Sequence, residues 1–177
     1  MNFHELLQNE GMTLEKKKGE HVFMQGETDK SLYKVQSGLL KAYYTSEEGK
    51  ESVKSFILAN DIIGSLAASF SHKHCSFSLV CLEPTVLRKI SFDTILEHSK
   101  KDLEIANNMI DVLLKFSIKK EEREFEFLCL SAEERFCKLI KSHPILLKKV
   151  TQNDLARYLG VTPVGLSRIK KRVLESS

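Results

Sequence analysis

The sequence predicts an α+β fold: an N-terminal antiparallel β-roll of jelly-roll type, then a long helix, then a closing helix-turn-helix. Three observations carry this expectation. Six of the eight glycines fall at Gly11, Gly19, Gly26, Gly38, Gly49 and Gly64, with short runs of β-branched and aromatic residues between them. From Lys101 a segment of about 27 residues has neither Gly nor Pro, longer than most globular helices. The last stretch, TQNDLARYLGVTPVGLSRIKKRVLESS, sets two short helical patterns on either side of Gly160.

In the first region HVFMQ, LYKV, LLKAYYT, ESVKSFI, SFSLVCL and TVLRKI have strand composition, and turn signals such as GETDK and SEEGK separate them. Short strands at intervals of roughly 8–12 residues point to an antiparallel sandwich or roll over residues 12–90. Ser91 then caps a helix over FDTILEH, with Asp93 in the first turn, where the helix dipole favours a carboxylate.

The long segment carries two apolar stripes. Ile105, Met109, Val112 and Phe116 form one; Leu103, Ala106, Ile110 and Leu113 form the other and run on to Ser117. A helix with two stripes needs two neighbours. Either both lie in its own core, or one lies on the β-roll and the other on the same helix of a second chain; for so long a helix beside a small β domain the homodimer is expected. Ser131 and Glu134, at N-cap and N3 spacing, open another helix with a capping box. It should stop near His143-Pro144, because proline disfavours helical backbone in the residue before it. HPILLKKV bridges to the closing stretch.

There Thr151 caps a helix with Asp154 in its first turn, and Gly160 supplies the left-handed residue that ends it. Thr162-Pro163, a cap followed by a proline at the first helical position, starts the next. Leu155, Ala156, Leu159, Val161, Leu166, Ile169 and Val173 make one inward seam. Val164, Gly165, Ser167, Arg168, Lys170 and Lys171 face outward. Small residues let such a helix sit deep in a major groove, and arginine there is the usual reader of guanine. A structural αα-hairpin with a solvated face is the plain alternative. Charge favours the groove: residues 148–177 hold seven Lys and Arg against Asp154 and Glu175, a net of +5, in a chain whose total is +3. The expected organisation is a β-roll over residues 1–98, a dimerisation helix over 99–128 and a DNA-binding helix-turn-helix over 129–177.

Other classes find less support. Cys75, Cys81, Cys129 and Cys137 make no CxxC pair, and the opening MNFHELLQNEG is charged and amphipathic rather than a leader. No apolar run approaches the roughly 18 residues that span a bilayer. A cytoplasmic protein with reduced thiols and no membrane partner is expected. No nucleophile elbow, P-loop or HExxH motif is present, so no enzyme is expected. The carboxylates at Glu121, Glu122, Glu124, Glu126, Glu133 and Glu134 read as solvated helix surface.

The ordered set resembles the Crp–Fnr superfamily of bacterial transcription regulators over nearly the whole chain. KKGEHVFMQGETDKSLYKVQSGLLKAYY, with Gly19, Gly26, Tyr33 and Gly38, and then NDIIGSL, match its β domain; YLGVTPVGLSRIKKRV matches its recognition hairpin. The resemblance implies a homodimer on a palindromic promoter site and a contact with RNA polymerase. Two departures stand out. Members usually carry a β-hairpin wing after the recognition helix, and the sequence given ends at Ser177. Phosphate contacts are therefore expected from Lys148, Lys149, Thr151, Gln152, Thr162, Lys170 and Arg172. The first turn of that helix also offers Pro163 and Val164 in place of the charged base-readers of the catabolite activator. A different operator is expected, with Arg168 on guanine and Val164 against a thymine methyl.

In cyclic-nucleotide-binding members a Gly-Glu-Leu and, some ten residues on, an Arg-Ser/Thr-Ala hold the ribose and the cyclic phosphate. Here Gly64, Ser65 and Leu66 stand for the first, Cys75 and Ser76 for the second. The resemblance thus implies an effector pocket at those five residues, without the guanidinium a buried phosphate needs. Cyclic AMP is not expected to bind, and no cofactor is expected. His72, His74 and Cys75 suggest haem or a metal as an alternative, although a loop that happens to carry two histidines is the plainer reading. A cupin-like metal enzyme lacks its Glu, since Ser78 stands there. An iron–sulfur sensor would need an N-terminal cysteine cluster, and the first cysteine is Cys75. The expected function is a DNA-binding regulator; the alternative is a ligand-, metal- or haem-binding β-roll sensor whose tail contacts protein.

Overall fold

The computed structural model describes residues 2–175. The chain forms two compact units, one of the residues up to Lys50 with Lys54–Lys115, the other of Glu51–Val53 with the residues from Phe116 onward.

The first unit opens with α1 (Phe3–Glu10), whose start is closed by a reciprocal capping box between Asn2 and Glu5. Strands β1 (Met12–Lys16), β2 (His21–Phe23), β3 (Ser31–Ser37), β4 (Leu40–Thr45), β5 (Glu51–Ile57) and β6 (Ile62–Ile63) follow. After the short α2 (Leu66–Ser69) come β7 (Ser78–Cys81), β8 (Thr85–Ser91) and α3 (Phe92–Ser99). The strands form two four-stranded sheets, ordered β1-β8-β3-β6 and β2-β7-β4-β5. All the pairings of β8, β3 and β7 with their neighbours are antiparallel. This is the β-roll that the spacing of short strands predicted.

Alternation along each strand decides what faces inward. In β4 and β7 the register sets Leu40 opposite Cys81 and Ala42 opposite Leu79, and all four join Phe23, Tyr33, Val35, Phe77 and Leu87 in the core between the sheets. On the other face of β3 and β8, Leu32 lies opposite Ile90, both buried but outside that cluster. Helices α1 and α3 pack on β8 and bring Leu6, Leu7, Phe92 and Ile95 to this side, all buried. Arg88 fastens α1: its guanidinium donates to the carbonyls of Leu7 at 2.7 and 3.1 Å and Gln8 at 2.7 Å, and to Thr13 Oγ1 at 2.8 Å. The Leu7 carbonyl also accepts from the Gly11 amide at 3.1 Å, and carbonyls at a helix C-terminus have few partners within the helix.

One long helix, α4 (Leu103–Cys129), runs from the first unit into the second. In the second unit α5 (Ala132–Ser142), α6 (Leu146–Lys149), α7 (Gln152–Leu159) and α8 (Pro163–Glu175) follow. HPILLKKV, expected to be a bridge, contains the single turn α6. Helices α5, α7 and α8 pack on one another around Phe136, Leu139, Leu155, Ala156, Leu159, Leu166 and Ile169, all buried. No helix among the described residues is long and apolar enough to cross a membrane.

Candidate nucleic-acid interface and effector pocket

The helix pair is built from local capping chemistry. Thr151 Oγ1 accepts from the Asp154 amide at 3.1 Å and donates to its carboxylate at 3.0 Å, which starts α7 and buries Asp154 in its first turn. Gly160 ends the helix at φ 71°, ψ 32°. Thr162 Oγ1 accepts from the Gly165 amide at 3.1 Å, and α8 begins at Pro163. Alanine at 160 would put an L residue in the left-handed region and its Cβ 2.9 Å from Phe127 Cε1. Gly160→Ala is expected to cost about 1–2 kcal/mol for the backbone alone, read as a lower denaturation midpoint with an unchanged slope.

Leu166 and Ile169 of α8 are buried, as are Leu155, Ala156 and Leu159 of α7; Val161 and Val173, expected in the same seam, are half-buried. The opposite face of α8 presents Val164, 62% exposed, together with exposed Ser167, Arg168 and Lys171. Gly165 is half-buried. Lys170 is half-buried too and donates to Gln152 Oε1 at 3.1 Å, linking α8 to the start of α7. Thr151, Gln152 and Thr162 are exposed beside them, and Lys148 and Lys149 are exposed on α6. Arg172 is engaged otherwise: its Nε and Nη2 reach Glu133 Oε2 at 2.8 and 2.7 Å. Glu133 is therefore an ion-pair partner rather than idle surface. Glu126 accepts from Lys138 at 2.9 Å, and Glu134 closes the Ser131 capping box.

Along the expected inward stripe of α4, Ile105, Met109 and Val112 are buried and Phe116 is half-buried. On the other stripe Leu103 and Ile110 are exposed, but Ala106 and Leu113 are half-buried. The large apolar residues exposed on α4 are Leu103, Ile110 and Leu114 in the first unit and Ile118, Phe125, Phe127 and Leu128 in the second. Leu114, Ile118, Phe125 and Leu128 lie off the stripe that starts at Leu103, because a 3.6-residue helix turns by about 20° per heptad against a 3.5-residue repeat. The drift takes the outward position from Leu113 to Leu114 and from Ser117 to Ile118.

Of the five residues expected at an effector pocket, Gly64, Ser65 and Cys75 are buried in the β-roll. Gly64 lies against β3, where a Cβ would stand 2.7 Å from the Ser31 carbonyl oxygen and 2.6 Å from Leu32 Cδ2. Ser65 is 1% exposed and precedes α2, Cys75 is 2% exposed, Leu66 is half-buried and Ser76 is exposed. Among the described residues, the buried hydroxyls of Ser65 and Ser69 have no hydrogen-bond partner. Cys75 is tied by its backbone to Glu27 and Gly26, and burial pushes its thiol pKa up, away from a reactive thiolate. Nearby, Tyr33 donates to Asp29 Oδ2 at 2.8 Å, and Lys89 reaches the same oxygen at 3.5 Å. Burial, then the Asp29 charge, raise the Tyr33 phenol far above its ordinary pKa. His72 and His74 are exposed whereas Cys75 is buried, so the three do not converge. Among the described residues no group of three or more His, Cys, Asp or Glu could hold a metal ion.

A β-roll followed by a long helix and a basic helix-turn-helix is the architecture of a one-chain transcription regulator, with a sensor-type fold at one end and a DNA-reading fold at the other. Comparison with known proteins agrees. A family model for the cyclic nucleotide-binding domain matches residues 13–102. The fumarate and nitrate reduction regulatory protein of Salmonella typhi is 31% identical, over 99% of this chain and 75% of that protein. Among solved structures, FixK2 of Bradyrhizobium japonicum superposes with a TM-score of 0.80 at 15% identity, covering 94% of this chain and 85% of that one. The c-di-GMP-responsive global regulator CLP of Xanthomonas campestris gives 0.75 at 15%, covering 98% and 90%. The chain belongs to the Crp–Fnr superfamily and is a DNA-binding transcription regulator.

Proposed function

We propose that two copies of this chain pair through α4 and set their α8 helices in successive major grooves, reading an inverted repeat in the cytoplasm and meeting RNA polymerase there. In this reading residues 1–98 are the sensor, 99–128 the dimerisation helix and 129–177 the DNA-binding part. The observation that carries it is the two-sided character of α8: Leu166 and Ile169 anchor one face while Val164, Ser167, Arg168 and Lys171 stand free on the other. Val164, Gly165, Ser167 and Arg168 take the base edges; Thr151, Gln152, Thr162, Lys170 and Lys171 take phosphates.

The cassette supports regulation without cyclic AMP. Ser65 and Cys75 stand where the family's glutamate and arginine would, and a buried neutral thiol gives a cyclic phosphate no counter-charge. Selection of random duplexes by the purified, ligand-free protein tests the whole reading. It is expected to return an inverted repeat with half-site centres about one helical turn apart, bound less tightly as salt rises. Salt-insensitive retention, or retention of protein in place of DNA, would favour a β-roll sensor with a protein-binding tail.

Arg168→Ala is expected to relax the preference at one base position in each half-site, at a cost of about 1–3 kcal/mol per contact. Repeating the selection with this variant checks it. An unchanged preferred sequence would mean that another face of the helix pair reads DNA.

A further inference from the structure

Two helix C-termini converge on two arginines in the second unit. Arg123, on α4, donates to the Tyr158 carbonyl at the end of α7. Arg135, on α5, donates to the Leu159 carbonyl at 2.8 Å and to the Leu130 carbonyl, just past the end of α4, at 2.6 Å. Carbonyls in the last turn of a helix lack internal partners and carry the negative end of its dipole, so a cation between two such ends satisfies both. Aromatic rings hold the guanidiniums in place. Arg123 lies 4.2 Å from the centre of the Phe127 ring and 3.8 Å from that of Tyr158, and Arg135 lies 4.7 Å from Phe127. Glu126 supplies the counter-charge at 3.7 Å from Arg123. The edge of Phe127 meets Gly160, the turn of the helix-turn-helix, where a side chain would not fit.

Burial lowers the Arg123 pKa, and the Glu126 carboxylate beside it counters only part of that. Such a group is retained at some cost to stability. Geometry is what the cluster supplies: Arg123 and Phe127, in the last two turns of α4, and Arg135, in the first turn of α5, each meet the end of α7.

We infer that Arg123, Phe127 and Arg135 are positioning residues that fix the angle at which the reading helices leave the long helix, and through it the half-site spacing the dimer accepts. This rests on the dimeric reading above. None of the three lies on the outward face of α8.

The test uses the full-length protein, the selected inverted repeat, versions with one or two base pairs added to or removed from the spacer, and an isolated half-site. Arg123→Lys keeps the charge and loses the planar stack; Phe127→Leu keeps apolar bulk and loses the ring. Each is expected to weaken the original repeat and narrow its advantage over the altered spacers by roughly tenfold, while half-site affinity stays within about twofold and helical content is unchanged. Unchanged spacer discrimination in both variants would overturn the inference. So would an equal loss on half-site and full site, which would mean a role in stability alone. Failure of the unmodified protein to prefer any inverted repeat would instead remove the dimeric reading beneath it.

Discussion

Glutamate at both Ile110 and Leu114 is expected to leave a folded protein that sediments as a single chain and no longer holds an inverted repeat. Both side chains are 54% exposed on α4, so the substitution removes little from the chain's own core. In a pair of facing helices it would remove four apolar side chains from the seam. Each is worth about 1.5–3 kcal/mol when fully buried, and four carboxylates would repel one another in their place. Losing the second reading helix then forfeits the gain of simultaneous binding, of order 10²–10⁴ in affinity. Sedimentation and titration on full and half sites check both halves of this expectation. A variant that remained dimeric would move the interface off the Ile110–Leu114 face.

Phe136→Ala is expected to unfold the helical unit while sparing the β-roll. Phe136 is fully buried where α5 meets the helix pair, and removal of such a ring costs about 3–5 kcal/mol. A unit of about 60 residues has of the order of 3–9 kcal/mol to lose. The expected urea profile keeps the strand transition and shifts or abolishes the helical one, with DNA binding lost in step. A single transition that moved as a whole would show the two units unfolding together.

The local parts of this architecture could be read before the structure. Ser91, Ser131, Thr151, Thr162-Pro163 and Gly160 all act within four residues of their own position, so spacing alone announces them. Asn2 and Glu5 carry the same signal for α1, a capping box at N-cap and N3 spacing. Strand β6, two residues long, has no length over which alternation could speak. The outward stripe of α4 was half legible: its existence followed from two-sided hydrophobicity, its later members did not, because the drift of the helix accumulates with length. The arginine cluster was not legible. Arg123, Arg135 and Tyr158 lie far apart in sequence, and an arginine on a helix surface gives no local sign of the carbonyl that awaits it.

The placement of Tyr158 against Arg123 has an optical consequence. The chain contains no tryptophan and four tyrosines, of which Tyr33, Tyr43 and Tyr44 belong to the β-roll strands. Every photon of phenol fluorescence from the helical unit therefore comes from a ring pressed against a guanidinium at the base of the reading head. A version with phenylalanine at the other three positions would carry one intrinsic fluorophore, and its emission would follow the reading head without any attached dye.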